Sequence, residues 1–389
     1  MAGAKQARGK KVTDLDLHAT GPGTLAGRYL RMFWHPICLA ADVERGRARR
    51  EQIMSEFVTL YRGQSGRLYA LGDRCAHRGV QLAAGWVEGE EIRCFYHGWK
   101  YDSSGACIEQ PAEKAGFAAK IRVRNYPVQE YLGLVFIYLG EGEPPALPRY
   151  PELEDESAGI LESLARAPLP CNYFQRLENN IDQVHVCFAH RDVFGAAGVI
   201  AIPDYIIEPT EFGLKAIGRR GNVDRVTYYH MPNIGLMAVP PVGNETGWGT
   251  LVVWRVPVDD GHNRSFNVRR AKKPAGQPVK PVRDRSPEQV STALEILAGR
   301  KRLEDVDPAD RGLLVPVQDN IALMGQGTIA DRGPAEHLGQ SDVGIIALRK
   351  LWRTELQAVA DGKPIRRWPL PKEGLAVTSG APEAAELAI

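Results

Sequence analysis

The sequence predicts an α+β protein in which a small antiparallel β domain precedes a larger domain of sheet and helix. Three observations carry this. Residues 28–143 read as strands, with short or alternating apolar runs such as EFVTLYRG, RLYALGD, EIRCFYHG and GLVFIYLGEG broken by glycine. The proline-rich stretch EPPALPRYPELE then reads as a linker. Beyond it, β text (YIIEPTEFGLKAIGR, DRVTYYHM, GTLVVWRVPVD) mixes with helix signals over DQVHVCFAHR and DVGIIALRKLWRTELQAVADG. A chain of 389 residues, 44% of them apolar, has room for two cores.

Taken in order, residues 1–27 are basic and polar and are expected to be loose or helical at the surface. Residues 28–143 form the first domain and 144–370 the second, with 371–389 as a flexible tail. Within the second domain PAGQPVKPVRDRSPE reads as a surface loop or a mobile cover. No internal repeat is present. A net charge of +2 gives no footprint for nucleic acid or an anionic membrane. MAGAKQARGKKVTDLD lacks the apolar stretch of a secretory signal and no run approaches eighteen apolar residues, so a cytoplasmic location is expected. Cys38, Cys107, Cys171 and Cys187 show no paired spacing and read as free, buried thiols, Cys187 with a second reading as active-site lining.

The remaining two cysteines sit in paired loops. RCAHRG holds Cys75 and His77, and RCFYHGW holds Cys94 and His97. Structural zinc sites usually take two thiolates from one arm and two imidazoles from another. Here each arm is mixed, which suits a [2Fe–2S] cluster of the Rieske type, two cysteines on one iron and two histidines on the other. Gly79 and Gly98 follow the histidines and are expected to let backbone N–H groups approach the sulfides.

A second constellation lies in LENNIDQVHVCFAHR: Asn179, Asp182, His185 and His190. Two imidazoles and one carboxylate on one face of an iron leave positions open for dioxygen and substrate. Residues five apart on an ideal helix are about 140° apart around its axis. A π-bulge or a helix end is therefore expected between the two histidines. Asp182 and His185, three apart, are expected to share a helical face, with the carboxylate accepting the second ring N–H of His185. Asp319, Asp331, Glu336 and Asp342 are near-equal candidates for the third ligand.

These segments, together with GRYLRMFWHPI, EYLGLVFIYLGEG and VQDNIALMGQGTIADRGPAEHLGQSDVGII, resemble the oxygenase subunits of Rieske non-haem iron aromatic-ring-hydroxylating oxygenases, in their phthalate dioxygenase group, from about Thr20 to Arg353. The resemblance implies a Rieske domain followed by a helix-grip (START-like) catalytic domain, an antiparallel sheet around a long helix. It implies Cys75 and Cys94 on the inner iron of the cluster, His77 and His97 on the outer one, and His185, His190 and Asp319 on a mononuclear Fe(II). It further implies that Asp182 bridges to the Rieske histidine of a neighbouring subunit in a homotrimer or hexamer, with Asn179 near the iron. Dioxygen as co-substrate, an aromatic acid and an NADH-dependent reductase carrying a flavin and an iron–sulfur cluster complete the implied system.

A substrate carboxylate needs a cationic anchor. Alternation along FGLKAIGRR puts Lys215, Ile217 and Arg219 on one face, so Lys215 is the first candidate and Arg219 the second, with Tyr229 and His230 on the next strand. Two outcomes fit the same iron chemistry: ring hydroxylation, or O-demethylation through hydroxylation of a methoxy group. Two other classes remain, a Rieske electron carrier without catalysis and a zinc-ribbon interaction module.

Overall fold

The computed structural model describes residues 11–114, 116–194, 201–220, 223–239, 247–272, 283–329 and 335–375. Three antiparallel sheets build the first domain. Strands β1 (Trp34–Leu39), β10 (Val128–Tyr131) and β11 (Leu134–Tyr138) form one, in the order β1-β11-β10. Strands β2 (Ala48–Ile53), β3 (Glu56–Arg62), β4 (Leu68–Gly72) and β9 (Asn125–Tyr126) form the second. The third is a tip of short strands, β5 (Trp86–Glu88), β6 (Glu91–Arg93), β7 (Lys100–Tyr101) and β8 (Cys107–Glu109). Strand β4 pairs directly with β9, Ala70 opposite Tyr126, so the whole tip lies between two neighbouring strands.

The second domain is a seven-stranded antiparallel sheet. Its strands are β12 (Ile160–Ala165), β13 (Asp204–Pro209), β14 (Gly213–Arg220), β15 (Val223–His230), β16 (Ile234–Val239), β17 (Gly249–Pro257) and β18 (Asn263–Ala271), in the order β12-β18-β17-β16-β15-β14-β13. Helices whose bounds fall among the described residues are, in chain order, α1 (Leu25–Leu30), α2 (Pro151–Glu154), α3 (Tyr173–Ile181), α4 (His185–Ala189), α5 (Arg191–Phe194), α6 (Ser286–Leu297), α7 (Arg311–Gly325) and α8 (Val343–Ala360). Leu348, Trp352, Leu356 and Val359 form the buried stripe of α8. Trp352 stacks edge-on with Phe174 of α3 at 5.5 Å and donates from Nε1 to the Tyr229 hydroxyl at 3.0 Å. The helix grips the sheet through these contacts. No described helix is long and apolar enough to cross a membrane.

The cores do not divide where the proline-rich stretch suggests. The tip packs on β3 and β4 through a separate small core around Tyr61, Leu71, Leu82, Ile92, Trp99 and Tyr101. The inner strands β1 and β11 instead share one large core with the second domain, Phe136 meeting Trp254 at 5.6 Å. Leu147, Tyr150 and Leu153 of the linker are buried in that same core. The linker is therefore a packed strap, irregular over 144–150 and turning into α2 at Pro151, and three apolar side chains fill the seam. The N-terminal segment is likewise not loose where it is described. Val12 and Leu17 are buried, the Val12 N–H donates to Gln357 at 3.1 Å, and Asp14 pairs with Arg353 at 2.7 Å on α8. Residues 1–10 and 376–389, and the start of PAGQPVKPVRDRSPE, lie outside the described residues. The rest of that loop reading is overtaken by α6 from Ser286.

Two histidines make this core sensitive to acid. His35 donates from Nε2 to the Leu30 carbonyl at 2.8 Å. His230 accepts from Tyr150 at Nδ1 (2.9 Å) and donates from Nε2 to the Trp368 carbonyl (2.8 Å). Burial pushes both down to about 4. A histidine whose folded pKa is depressed contributes full stability above its unfolded value of about 6.5 and loses it as pH falls toward the folded value. Each should cost about 2 kcal/mol by pH 5, rising toward about 3 below pH 4. Urea denaturation at pH 7 and pH 5 checks this. The wild-type midpoint should fall, and His230→Gln should flatten the slope; a slope unchanged by the substitution would remove His230 as a cause.

Candidate metal centres

The tip presents two copies of one loop. Cys75 N–H donates to the Val80 carbonyl (2.8 Å) and Gly79 N–H to the Cys75 carbonyl (2.8 Å). Cys94 N–H donates to the Trp99 carbonyl (2.8 Å) and Gly98 N–H to the Cys94 carbonyl (3.0 Å). Gly79 and Gly98 have φ of 74° and 73°, left-handed backbone that side chains rarely adopt. At Gly79 an added Cβ would meet no protein atom within 4 Å, so among protein contacts it is the turn that asks for glycine there.

Cys75, His77, Cys94 and His97 line one cavity, with the His77 and His97 rings 4.5 Å apart. Both thiols are buried, His77 is half-buried and His97 is exposed. Trp99 stacks on His77 at 4.5 Å and 9°. Tyr101 accepts from the Ala76 N–H (3.1 Å), which leaves its hydroxyl hydrogen for the Cys75 sulfur at 3.2 Å. His77 Nδ1 is buried with no hydrogen-bond partner. A buried imidazole nitrogen left open beside two thiols fits a ligand to the second iron of a [2Fe–2S] cluster.

The second centre assembles from α3, α4 and α7. Asn172 caps α3, accepting from the Phe174 N–H at 2.9 Å. Tyr173, Phe174, Leu177 and Ile181 are buried in the large core, while Asn179 and Arg176 turn to the site. Tyr205 of β13 donates to the Ile181 carbonyl at the last turn. A new helix begins at His185 and ends at Ala189, with His190 outside it at φ −108°, ψ 17°. The helix end required by the spacing of the two histidines is present, and their rings stand 5.4 Å apart at 78°. Asp319 comes from α7, three residues after Pro316. Proline cannot donate to the carbonyl four residues back. That carbonyl, Gly312, accepts instead from Gln289 of α6 at 2.8 Å.

The donor atoms of His185, His190 and Asp319 converge as a metal site, all within 4.8 Å of one another. Asp319 Oδ1 lies 3.6 Å from His185 Nε2 and 3.3 Å from His190 Nε2. Ligands bound at about 2 Å from one ion are roughly 3 to 3.5 Å apart, so the set fits a mononuclear iron. His190 Nδ1 donates to Gln318 at 2.9 Å, which turns the Nε2 lone pair to the metal position. Burial opposes ionisation of Asp319, but His190, Arg176 at 3.5 Å and His185 outweigh it and hold the carboxyl well below the usual range. Asn179 Nδ2 lies 3.3 Å from Asp319 Oδ1 and 3.4 Å from His185 Nε2. The competing carboxylates are engaged elsewhere: Glu336 pairs with Arg349 and Asp342 accepts from the Gly339 N–H at 2.7 Å. Asp331 lies outside the described residues.

Other expectations need correction. Asp182 does not share a helix with His185, because α3 stops at Ile181 and Asp182 is extended. Its Oδ1 accepts from the Val184 (2.7 Å) and His185 (3.2 Å) N–H groups, and Oδ2 stands 3.6 Å from His185 Nδ1, longer than a hydrogen bond. Lys215 pairs with Glu208 at 3.2 Å and Arg219 forks onto Asp224. Both lie on the face of β14 opposite Gly218, and it is Gly218 that meets Gln183 beside the iron ligands. His230 shares the face of Lys215 and is spent on Tyr150 and Trp368, while Tyr229 is buried against Pro232 and Trp352. The alternation was right, but a sheet covered on both sides does not reveal from sequence which face holds the iron. Cys187 is buried and takes a hydrogen bond from Arg220 at 3.2 Å.

Residues 33–131 match the family model of the Rieske [2Fe-2S] domain. Phenoxybenzoate dioxygenase subunit alpha of Ectopseudomonas oleovorans is 32% identical, over 90% of this chain and 86% of that protein. The 5,5'-dehydrodivanillate O-demethylase oxygenase subunit of a Sphingobium strain is 31% identical, over 89% of this chain and 80% of that protein. The NdmA QL mutant of Pseudomonas putida CBB5, solved with caffeine, shares the fold at a TM-score of 0.64 and 21% identity, over 86% of this chain and 93% of that one.

Proposed function

Because this chain belongs to the Rieske non-haem iron oxygenases, as an aromatic-ring-hydroxylating oxygenase alpha subunit, we propose that it hydroxylates an aromatic acid with dioxygen. The electrons come singly from a separate NADH-dependent reductase. One observation carries the reading: a four-ligand cluster tip and a two-histidine, one-carboxylate centre stand in a single chain. An electron carrier or a zinc ribbon has no use for the second. Both relatives named above are named for carboxylates, phenoxybenzoate and dehydrodivanillate, which supports an acid here.

When bound, the cluster supplies electrons and the mononuclear iron activates dioxygen beside the substrate. His185, His190 and Asp319 would hold that iron. Gln318 fixes the tautomer of His190, and Asn179 spans His185 and Asp319. Asp182 is partly exposed behind His185, and we place it as the bridge to the Rieske histidine of a neighbouring copy in a trimer or hexamer. Asp182→Asn should leave both metals bound and slow reoxidation of the pre-reduced cluster about 100-fold in a single turnover. An unchanged rate would remove the bridging role.

The relationship to an O-demethylase subunit supports a second outcome at the same iron, attack on a methoxy group. Product analysis with 3-methoxybenzoate and a compatible reductase separates the two. A hydroxylated ring without formaldehyde supports ring hydroxylation. Formaldehyde in step with a phenol supports demethylation and overturns it.

A further inference from the structure

One arginine beside the iron helices has nothing to hold. Arg225 of β15 is half-buried and, among the described residues, makes no hydrogen bond or ion pair. Its cross-strand partner is Gly218 of β14, so the two share a face. That face looks onto the segment carrying the iron histidines. A Cβ on Gly218 would stand 3.3 Å from Gln183 Oε1, and Thr227, two residues along β15, bonds Gln183 at 3.0 Å. Arg220, on the same face of β14, is engaged with Cys187 of α4 (3.2 Å) and the Ala201 carbonyl (2.7 Å). Arg225 is therefore the free cation on this wall among the described residues.

Gln183 is 3% exposed, and one end of its amide is buried without a partner. Turning that amide over keeps the bond to Thr227, whose hydroxyl then donates, and presents two N–H donors at the open end. Farther along the same face, Met237 and Val253 are apolar, while Gly235 between them is covered by the Asn180 amide. A cation and an amide beside an apolar stretch match a ring bearing an anionic group. Burying an unpaired guanidinium costs stability, and burial indeed pushes its pKa down. A ligand carboxylate would supply the missing partner.

We propose that Arg225, with the Gln183 amide, forms the subsite that binds the substrate carboxylate, with the ring lying toward Met237 and Val253. The proposal rests on the aromatic-acid reading and assigns it a residue.

The test is calorimetric titration of the full, metal-loaded chain with 3-chlorobenzoate and with 3-chlorobenzamide, which has the same shape and no charge. Wild-type protein should bind the acid more tightly. Arg225→Met should weaken acid binding about 10- to 100-fold and leave the amide within about twofold. Arg225→Lys should recover part of the loss, since it restores the charge without the fork. The Arg225→Met melting temperature without ligand should hold or rise, because a buried charge without a partner has been removed. Wild-type protein that binds the acid no better than the amide overturns the aromatic-acid reading and the subsite with it. A wild-type preference for the acid that survives Arg225→Met overturns the subsite alone. A fall in melting temperature with equal loss of both ligands makes Arg225 structural and overturns it as well.

Discussion

Replacing Asp319 by Ala should lower the iron content from about three to about two per chain and leave the Rieske absorbance in place. Two imidazoles remain, but His185 and His190 are on separately held segments, one opening α4 and the other beyond its end. Asp319 Oδ1 is the atom that both Nε2 nitrogens face, at 3.6 and 3.3 Å. Arg176 and Asn179 also converge on this carboxylate, so its loss leaves them facing an empty space. Turnover should fall below about 0.1% of wild type, because several kcal/mol of barrier lowering depend on the metal. Glu336→Ala and Asp342→Ala should retain all the iron, since one is committed to Arg349 and the other to a turn before α8. Iron analysis with the visible spectrum decides between them. Retained iron in Asp319→Ala would transfer the ligand role to another carboxylate.

The largest stability effect is expected from Arg349→Met. Arg349 is 6% exposed and holds Glu178 through Nε (2.7 Å) and Glu336 through both terminal nitrogens (2.5 and 2.8 Å). Glu178, 3% exposed, precedes Asn179 on α3, so this guanidinium ties the helix that brings Asn179 to the iron ligands to α8. Removing one member of a buried ion pair leaves the others charged and poorly solvated, which costs about 3–5 kcal/mol. The melting temperature should drop by roughly 5–10 °C. Mononuclear iron should be lost before the cluster, because the tip packs on β3 and β4 in a core separate from that of α3 and α8. A simultaneous loss of both would show that the tip leans on α3. Replacing Arg349 and Glu178 together by Met should recover part of the stability, which separates charge imbalance from lost packing.

Much of this architecture is legible in the residues alone. The mixed Cys/His arms fix the cluster loops because each ligand type must reach its own iron, and the five-residue interval of His185 and His190 demands a broken helix. The strands EFVTLYRG and GLVFIYLGEG and the helix at DVGIIALRK are read correctly from periodicity. Strand β18 escapes because Arg264, Arg269 and Arg270 mask its alternation. Arg270 is nevertheless 7% exposed, held by the Leu153 carbonyl. Helix α7 hides behind Pro316, tolerated because Gln289 takes the freed carbonyl. The third ligand could not be singled out from its own residues, since what separates Asp319 from Glu336 is the long-range partner of each. The substrate wall failed for a related reason: Lys215 and Arg225 look alike in sequence, and only the burial of each sheet face tells them apart.

The direct pairing of β4 with β9 has a consequence for how the electron-accepting part is attached. The chain leaves the sheet after Gly72 and returns at Asn125 on the adjacent strand. Topologically the cluster-bearing tip is one oversized hairpin turn, its two stems side by side and nothing threaded through it. Changes of length or sequence within the tip therefore leave the strand order of the host sheet as it is, provided Tyr61 and Leu71 still find their partners in it.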